Sequence, residues 1–144
     1  MPLTNFGAIL NFAETVERED MEFYRQASSI ESVAPYRVLF EMFVGEGKKN
    51  ISLVQRTRRE NVTEMILEPI RDFVREGYLE TVGEAQSMDL TGILAAADML
   101  ENRAIRYYKD AAEKIHALPE VSRALKTLAK KRTKRIAQLQ NLSA

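Results

Sequence analysis

The chain contains one helical hairpin written twice, and that repeat limits its folds more than any other feature. Glu17-Arg-Glu-Asp-Met-Glu-Phe-Tyr-Arg-Gln-Ala27 aligns on Glu101-Asn-Arg-Ala-Ile-Arg-Tyr-Tyr-Lys-Asp-Ala111 at a shift of 84 positions, and the match runs back through Ala13/Ala97, Leu10/Leu94 and Ile9/Ile93. A shift of 85 pairs Phe43/Leu128, Val44/Ala129, Lys49/Lys134, Ile51/Ile136, Val54/Leu139 and Gln55/Gln140. Any two amphipathic helices share apolar periodicity. They do not by default share a Glu and a Tyr at matched positions within the apolar stripe.

With six glycines and four prolines in 144 residues, and apolar residues recurring at three and four, the repeat reads as long helices. The first helix is expected from about Thr4 to Ser29, with Ile9, Leu10, Ala13, Val16, Phe23, Tyr24, Ala27 and Ile30 on one face. A short Glu31–Ala34 link leads to the second, expected from Pro35 to about Glu60. The third is expected over Leu90–Ala117 with Asp89 as N-cap, and the fourth over Pro119–Leu142 after a turn centred on Leu118. Residues 61–89, with Pro69, Gly77 and Gly83, form a connection long enough to run the length of a bundle, with short helices expected near Val62–Leu67 and Ile70–Arg75. The expectation is one all-α domain over residues 1–144: hairpin 4–60, crossover 61–89 and hairpin 90–142.

Composition narrows the chemistry. There is no cysteine, which excludes disulfides, thiolate zinc sites, thiol catalysis and iron–sulfur clusters. No apolar run approaches the ~20 residues of a spanning helix, and Met1–Leu10 lacks the basic start and apolar core of a signal peptide, so a cytoplasmic location without membrane attachment is expected. Basic and acidic residues both total 21, leaving no net field to draw nucleic acid. The charge is nevertheless segregated. From Val121 to the last residue there is no acid, while Arg123, Lys126, Lys130, Lys131, Arg132, Lys134 and Arg135 are basic; Glu14, Glu17, Glu19, Asp20 and Glu22 lean the other way.

Glu17 and Tyr24 lie seven apart on one stripe of the first helix, and Glu101 and Tyr108 repeat the spacing on the third. A carboxylate inside an apolar stripe is costly unless something ionic faces it, so both glutamates require partners. On these residues the chain resembles the rubrerythrin-like branch of the ferritin-like family, in which a Glu precedes a Tyr by seven on one helix and Glu-x-x-His follows on the next. The resemblance covers nearly the whole chain except the crossover. It implies a ferritin-like four-helix bundle holding two irons, or manganese, between one Glu from each of two helices and Glu-x-x-His from each of the others. Carried across, the lone ligands fall on Glu17 and Glu101, with Tyr24 and Tyr108 behind them. The paired motifs are missing: their positions hold Gly47 and Asn50 on the second helix, and Arg132 and Arg135 on the fourth.

With those ligands absent and two replaced by permanent cations, a conventional di-iron centre is not expected. His116, the sole histidine, stands fifteen residues beyond Glu101, about 22 Å along the helix at 1.5 Å per residue, and reads as a helix-end residue. A residual metal site of Glu17, Glu46 and Glu101 is the weaker option, because Glu46 is rotated about 100° from the seam position at Gly47. Charge balance points to Arg132 and Arg135 in the former metal volume, paired with Glu17 and Glu101, with Asn50 or a Tyr hydroxyl accepting leftover N–H groups. The competing reading leaves both arginines on the exposed basic face of the fourth helix, but Arg132, four after Leu128 and four before Ile136, falls on the apolar stripe. Gly45 and Gly47 cost roughly 2 kcal/mol together relative to Ala, explained either by room for an arginine from the facing helix or by a bend or close helix crossing.

Three functions follow in order. The first is a non-catalytic ferritin-like structural or interaction protein without cofactor, forming a homodimer through outer helix faces. The second is a rubrerythrin- or ferritin-type metal-binding oxidoreductase or iron-handling protein using iron or manganese, though without rubredoxin-like Cys pairs it carries no electron-transfer module. The weakest is nucleic-acid binding through the basic fourth helix, against which stand the neutral net charge and an acidic first helix able to serve as its internal partner.

Overall fold

A computed structural model describes residues 6–61, 73, 75–79 and 82–143. Four α-helices make up an all-α bundle: α1 (Phe6–Ser28), α2 (Arg37–Glu60), α3 (Leu90–Lys114) and α4 (Pro119–Ser143), and among the described residues there is no strand. None of the described helices is long and apolar enough to cross a membrane. The short helices expected near Val62–Leu67 and Ile70–Arg75 lie outside the described residues, apart from Phe73 and a 3-10 turn over Arg75–Tyr78.

The helix ends follow local chemistry. Asp89 caps α3, its side chain accepting from the Gly92 N–H at 2.8 Å. Pro119 opens α4, where a missing N–H costs nothing, and Ser122 N–H bonds back to the Leu118 carbonyl at 2.9 Å. Two expected boundaries are corrected. Pro35 lies inside a 3-10 turn (Glu31–Tyr36), and α2 starts at Arg37, whose Nε donates to the Ser28 carbonyl at 2.8 Å and ties the two helices of the hairpin. The third helix ends at Lys114, before Ala117, because Leu118 N–H turns back to the Ile115 carbonyl at 2.9 Å. His116 is exposed there, with its Nδ1 2.8 Å from the Glu113 carbonyl.

Helices α1 and α2 pack as one antiparallel hairpin and α3 and α4 as another, and the hairpins meet with α1 against α3 and α2 against α4. Cross-links fix the directions: Tyr24 reaches Glu101 while Tyr108 reaches Glu17, so α1 and α3 are antiparallel, and Glu46–Arg135 with Asn50–Lys131 make α2 and α4 antiparallel too. The apolar interior is split in two. Ile9, Leu10, Val16, Val54, Tyr107, Leu125 and Leu128 belong to one cluster, and Phe23, Tyr24, Phe40, Phe43, Ile93 and Leu100 to the other. Between them, at mid-height, lies a layer of buried charge.

The glycines of α2 resolve differently. A Cβ on Gly45 would meet nothing within 4 Å, whereas one on Gly47 would stand 3.2 Å from Met21 Cβ. Gly47 therefore permits a close crossing of α1 on α2, and the expectation that it makes room for an arginine is not met: the neighbour it accommodates is Met21.

Candidate functional site

The mid-bundle layer is built from one or two residues of each helix. Glu17, Asp20, Asn50, Glu101, Arg103, Arg132 and Arg135 are all nearly inaccessible to solvent. Arginine and carboxylate side chains are rarely buried this completely unless paired, and here they are paired with one another.

Arg132 stands at the centre. Its Nε donates to Glu101 at 2.5 Å, one terminal nitrogen to Glu17 at 2.7 Å, and the other to Asp20. One guanidinium thus joins three carboxylates from two helices. Arg135 donates through Nε to Glu46 at 2.7 Å and through Nη1 to Glu101 at 3.3 Å, and its charge lies 5.0 Å from the Phe43 ring centroid. Arg103 completes the layer, bonded to Asp20 at 2.6 Å and to the Tyr78 carbonyl at 3.1 Å.

The carboxylates are held from behind. Tyr24 OH donates to Glu101 at 2.5 Å, Tyr108 OH donates to Glu17, and Asn50 Nδ2 donates to Glu17 at 3.1 Å. The expected direction of these bonds is therefore reversed: Asn50 and the tyrosines give protons to carboxylates instead of accepting them from guanidinium groups. The reason is stoichiometric. Three carboxylates take up the Arg132 donors, and each still has lone pairs to fill. Asn50 Oδ1 does accept, from Lys131 Nζ at 3.3 Å.

Electrostatics follow the same geometry. Burial opposes ionisation of Glu17, but Arg132, Arg135 and the bonds from Tyr108 and Asn50 outweigh it and hold the carboxyl below its ordinary range. Burial raises Asp20 to about 6 against the pull of Arg132 and Arg103, with the charges of Glu101 and Glu17 adding to the rise. Burial, with Glu101 for Tyr24 and Glu17 for Tyr108, pushes both phenols well above their usual value, so they remain neutral donors. Burial works against the charge of Arg132, yet Glu101, Glu17 and Asp20 prevail and keep it protonated. The fully buried layer is balanced, with Glu17, Asp20 and Glu101 facing Arg103, Arg132 and Arg135.

Of the six positions that the resemblance marks as former ligand sites, the structure brings Glu17, Asn50, Glu101, Arg132 and Arg135 into one network, while Gly47 packs on Met21. Glu46 does not join Glu17 and Glu101; its side chain is 31% exposed and binds Arg135 at the rim. These residues do not fit a di-metal centre, because the carboxylates converge on the Arg132 guanidinium. Among the described residues, no group of three or more His, Cys, Asp or Glu side chains is arranged to hold a metal ion.

Asp20 and Arg103 were absent from the sequence-derived site. Asp20 lies three residues after Glu17 and four before Tyr24 on the buried stripe, but in the sequence it belongs to the acidic run from Glu14 to Glu22. Arg103 carried no such signal. It stands two residues from Glu101, off the stripe, and its second partner is a carbonyl of the connection.

The acidic surface of α1 does not serve as internal partner to α4. Glu14 pairs with Arg18 and Arg58, and Glu22 pairs with Arg25. Only the buried Glu17 and Asp20 reach α4, through Arg132.

No protein-family model, curated protein or solved structure matches the chain.

Proposed function

We propose that this protein is a ferritin-like bundle that acts as a non-catalytic structural or interaction protein, its former di-metal position taken over by arginine. The observation that carries this reading is the Arg132 guanidinium bonded to Glu17, Asp20 and Glu101. A cation already lies where the carboxylates converge. A divalent metal between Glu17 and Glu101 would have to displace it, and displacing it would leave a fixed positive charge in the core.

Topology supports the ferritin-like assignment. Since α1 is antiparallel to both α2 and α3, α2 and α3 run the same way, and residues 61–89 join opposite ends of the bundle as a ferritin-like crossover does. The cross-paired Tyr24–Glu101 and Tyr108–Glu17 bonds relate the hairpins by an approximate two-fold, as an internal duplication would.

A cytoplasmic homodimer is the form we assign. Val38 and Met42, 72% and 56% exposed and one turn apart on the outer face of α2, supply apolar surface for self-association. Sedimentation equilibrium tests the dimer, and a monomer at micromolar concentration would remove it. The functional assignment is tested by metal analysis of protein purified after growth with added iron and manganese. It expects no stoichiometric metal; two ions per chain would restore the reading as a rubrerythrin- or ferritin-type oxidoreductase.

A further inference from the structure

The exposed cations of α4 form a stripe. Arg123, Lys126, Lys130 and Lys134 follow one another at three and four residues, spanning about 16 Å at 1.5 Å per residue. All four are exposed, and among the described residues none has an ion-pair partner. Lys109 of α3 faces the middle of the stripe, and together with Lys126, Ala129, Lys130 and Thr133 it lines a groove of about 340 Å³ between the two helices. The rim is cationic on both sides and Ala129 supplies an apolar floor.

Net neutrality conceals this surface. Glu17, Asp20 and Glu101 lie in the mid-bundle layer, and Glu14 and Glu22 pair with Arg18, Arg58 and Arg25. Among the described residues, no acidic side chain lines the groove.

We propose that the α3–α4 groove docks an acidic, amphipathic segment of a partner protein, with carboxylates meeting Lys109, Lys126 and Lys130 and small apolar side chains resting on Ala129. This names the partner chemistry of the interaction role proposed above and rests on that reading. Two features favour a protein segment over nucleic acid. The groove has an apolar floor, which a phosphate backbone would not use, and its lining carries no aromatic side chain or arginine on which bases could stack. Lysines at such a rim steer and orient an acidic ligand, and the interaction weakens with salt.

The test is NMR mapping on the full-length chain. The probe is a synthetic helical peptide with Glu along one face and Ala and Leu along the other, and oligo-dT is titrated separately. We expect amide shifts confined to residues around Lys109, Lys126 and Lys130, weakening at high salt. The K126E/K130E variant should bind about tenfold less or worse, whereas R56E/R59E, with the same charge change on exposed arginines of α2, should bind like the parent. Helical circular dichroism checks that both variants are folded. Absence of peptide binding, equal loss in both variants, or tighter binding of oligo-dT to this groove overturns the proposal. Metal content of the same sample reports separately on the non-catalytic reading: metal-free protein that ignores the peptide would sink the docking surface alone.

Discussion

Arg132 Nε donates to Glu101 Oε1 at 2.5 Å, and neither side chain is exposed to solvent. Bonds of this kind do not by themselves add much stability, because taking both charges out of water consumes most of their attraction. Their consequence is asymmetric. Replacing Arg132 by Ala leaves Glu17, Asp20 and Glu101 short of their central cation, and the expected loss is roughly 3–5 kcal/mol. Urea denaturation of the parent and Arg132→Ala measures it; equal midpoints would mean that the guanidinium is not the common partner.

The approximate two-fold makes a second prediction. Tyr24 and Tyr108 play equivalent parts, each donating to the glutamate of the opposite hairpin. Tyr24→Phe and Tyr108→Phe keep the ring and delete only the donor to a charged acceptor, so each should cost about 1.5–3 kcal/mol. The two losses should be similar. A large loss in one variant beside none in the other would deny that the hairpins share the layer symmetrically.

The pH dependence depends on two carboxyls of opposite sign. Asp20 is raised from 3.8 to about 6, so the folded state holds this proton more tightly than the unfolded chain. Its contribution to stability is complete below about pH 3.8 and is lost as pH rises through about 6. Glu17, held below its reference value of 4.5, contributes stability that is present above 4.5 and is lost as pH falls. Asp20→Asn removes the first effect only. As pH rises from 4 to 6 the variant should gain on the parent by up to about 3 kcal/mol, at about 1.4 kcal/mol per pKa unit. Denaturation curves of both proteins across that window decide it, and parallel profiles would refute the assignment.

The glycines of α2 separate backbone propensity from packing. Gly45 is exposed with free space around its Cα, so Gly45→Ala should stabilise by about 1 kcal/mol through helix propensity alone. Gly47→Ala has the same propensity gain but places a Cβ 3.2 Å from Met21 Cβ, an atom fixed to the α1 backbone. The pair should therefore differ in thermal unfolding, with the Gly47 variant less stable than the Gly45 variant. Equal gains would show that α1 and α2 do not cross closely there.

The helices were legible because periodicity and capping are local: Asp89, Pro119 and the apolar stripes need no knowledge of distant neighbours. Glu17, Glu101 and the two tyrosines were legible because the repeat singled them out, and Arg132 because it lies on the stripe between Leu128 and Ile136. Asp20 and Arg103 interrupt the repeat, standing opposite Ala104 and Glu19, so the same argument that exposed the glutamates concealed them. The Arg103 bond to the Tyr78 carbonyl and the stacking of Phe73 on Tyr107, with centroids 5.8 Å apart, depend on where the connection lies. Hydrogen-bond direction was beyond the sequence as well, because it depends on how many acceptors crowd around one guanidinium.

All of this depends on a guanidinium holding the middle of the bundle. The direct measurement is a crystal structure of protein expressed with iron and manganese supplements, with anomalous data collected at both absorption edges. The account predicts planar guanidinium density for Arg132 between Glu17 and Glu101, with no anomalous peak in that layer. An iron or manganese peak bridging Glu17 and Glu101, with Arg132 turned out of the core, would contradict it.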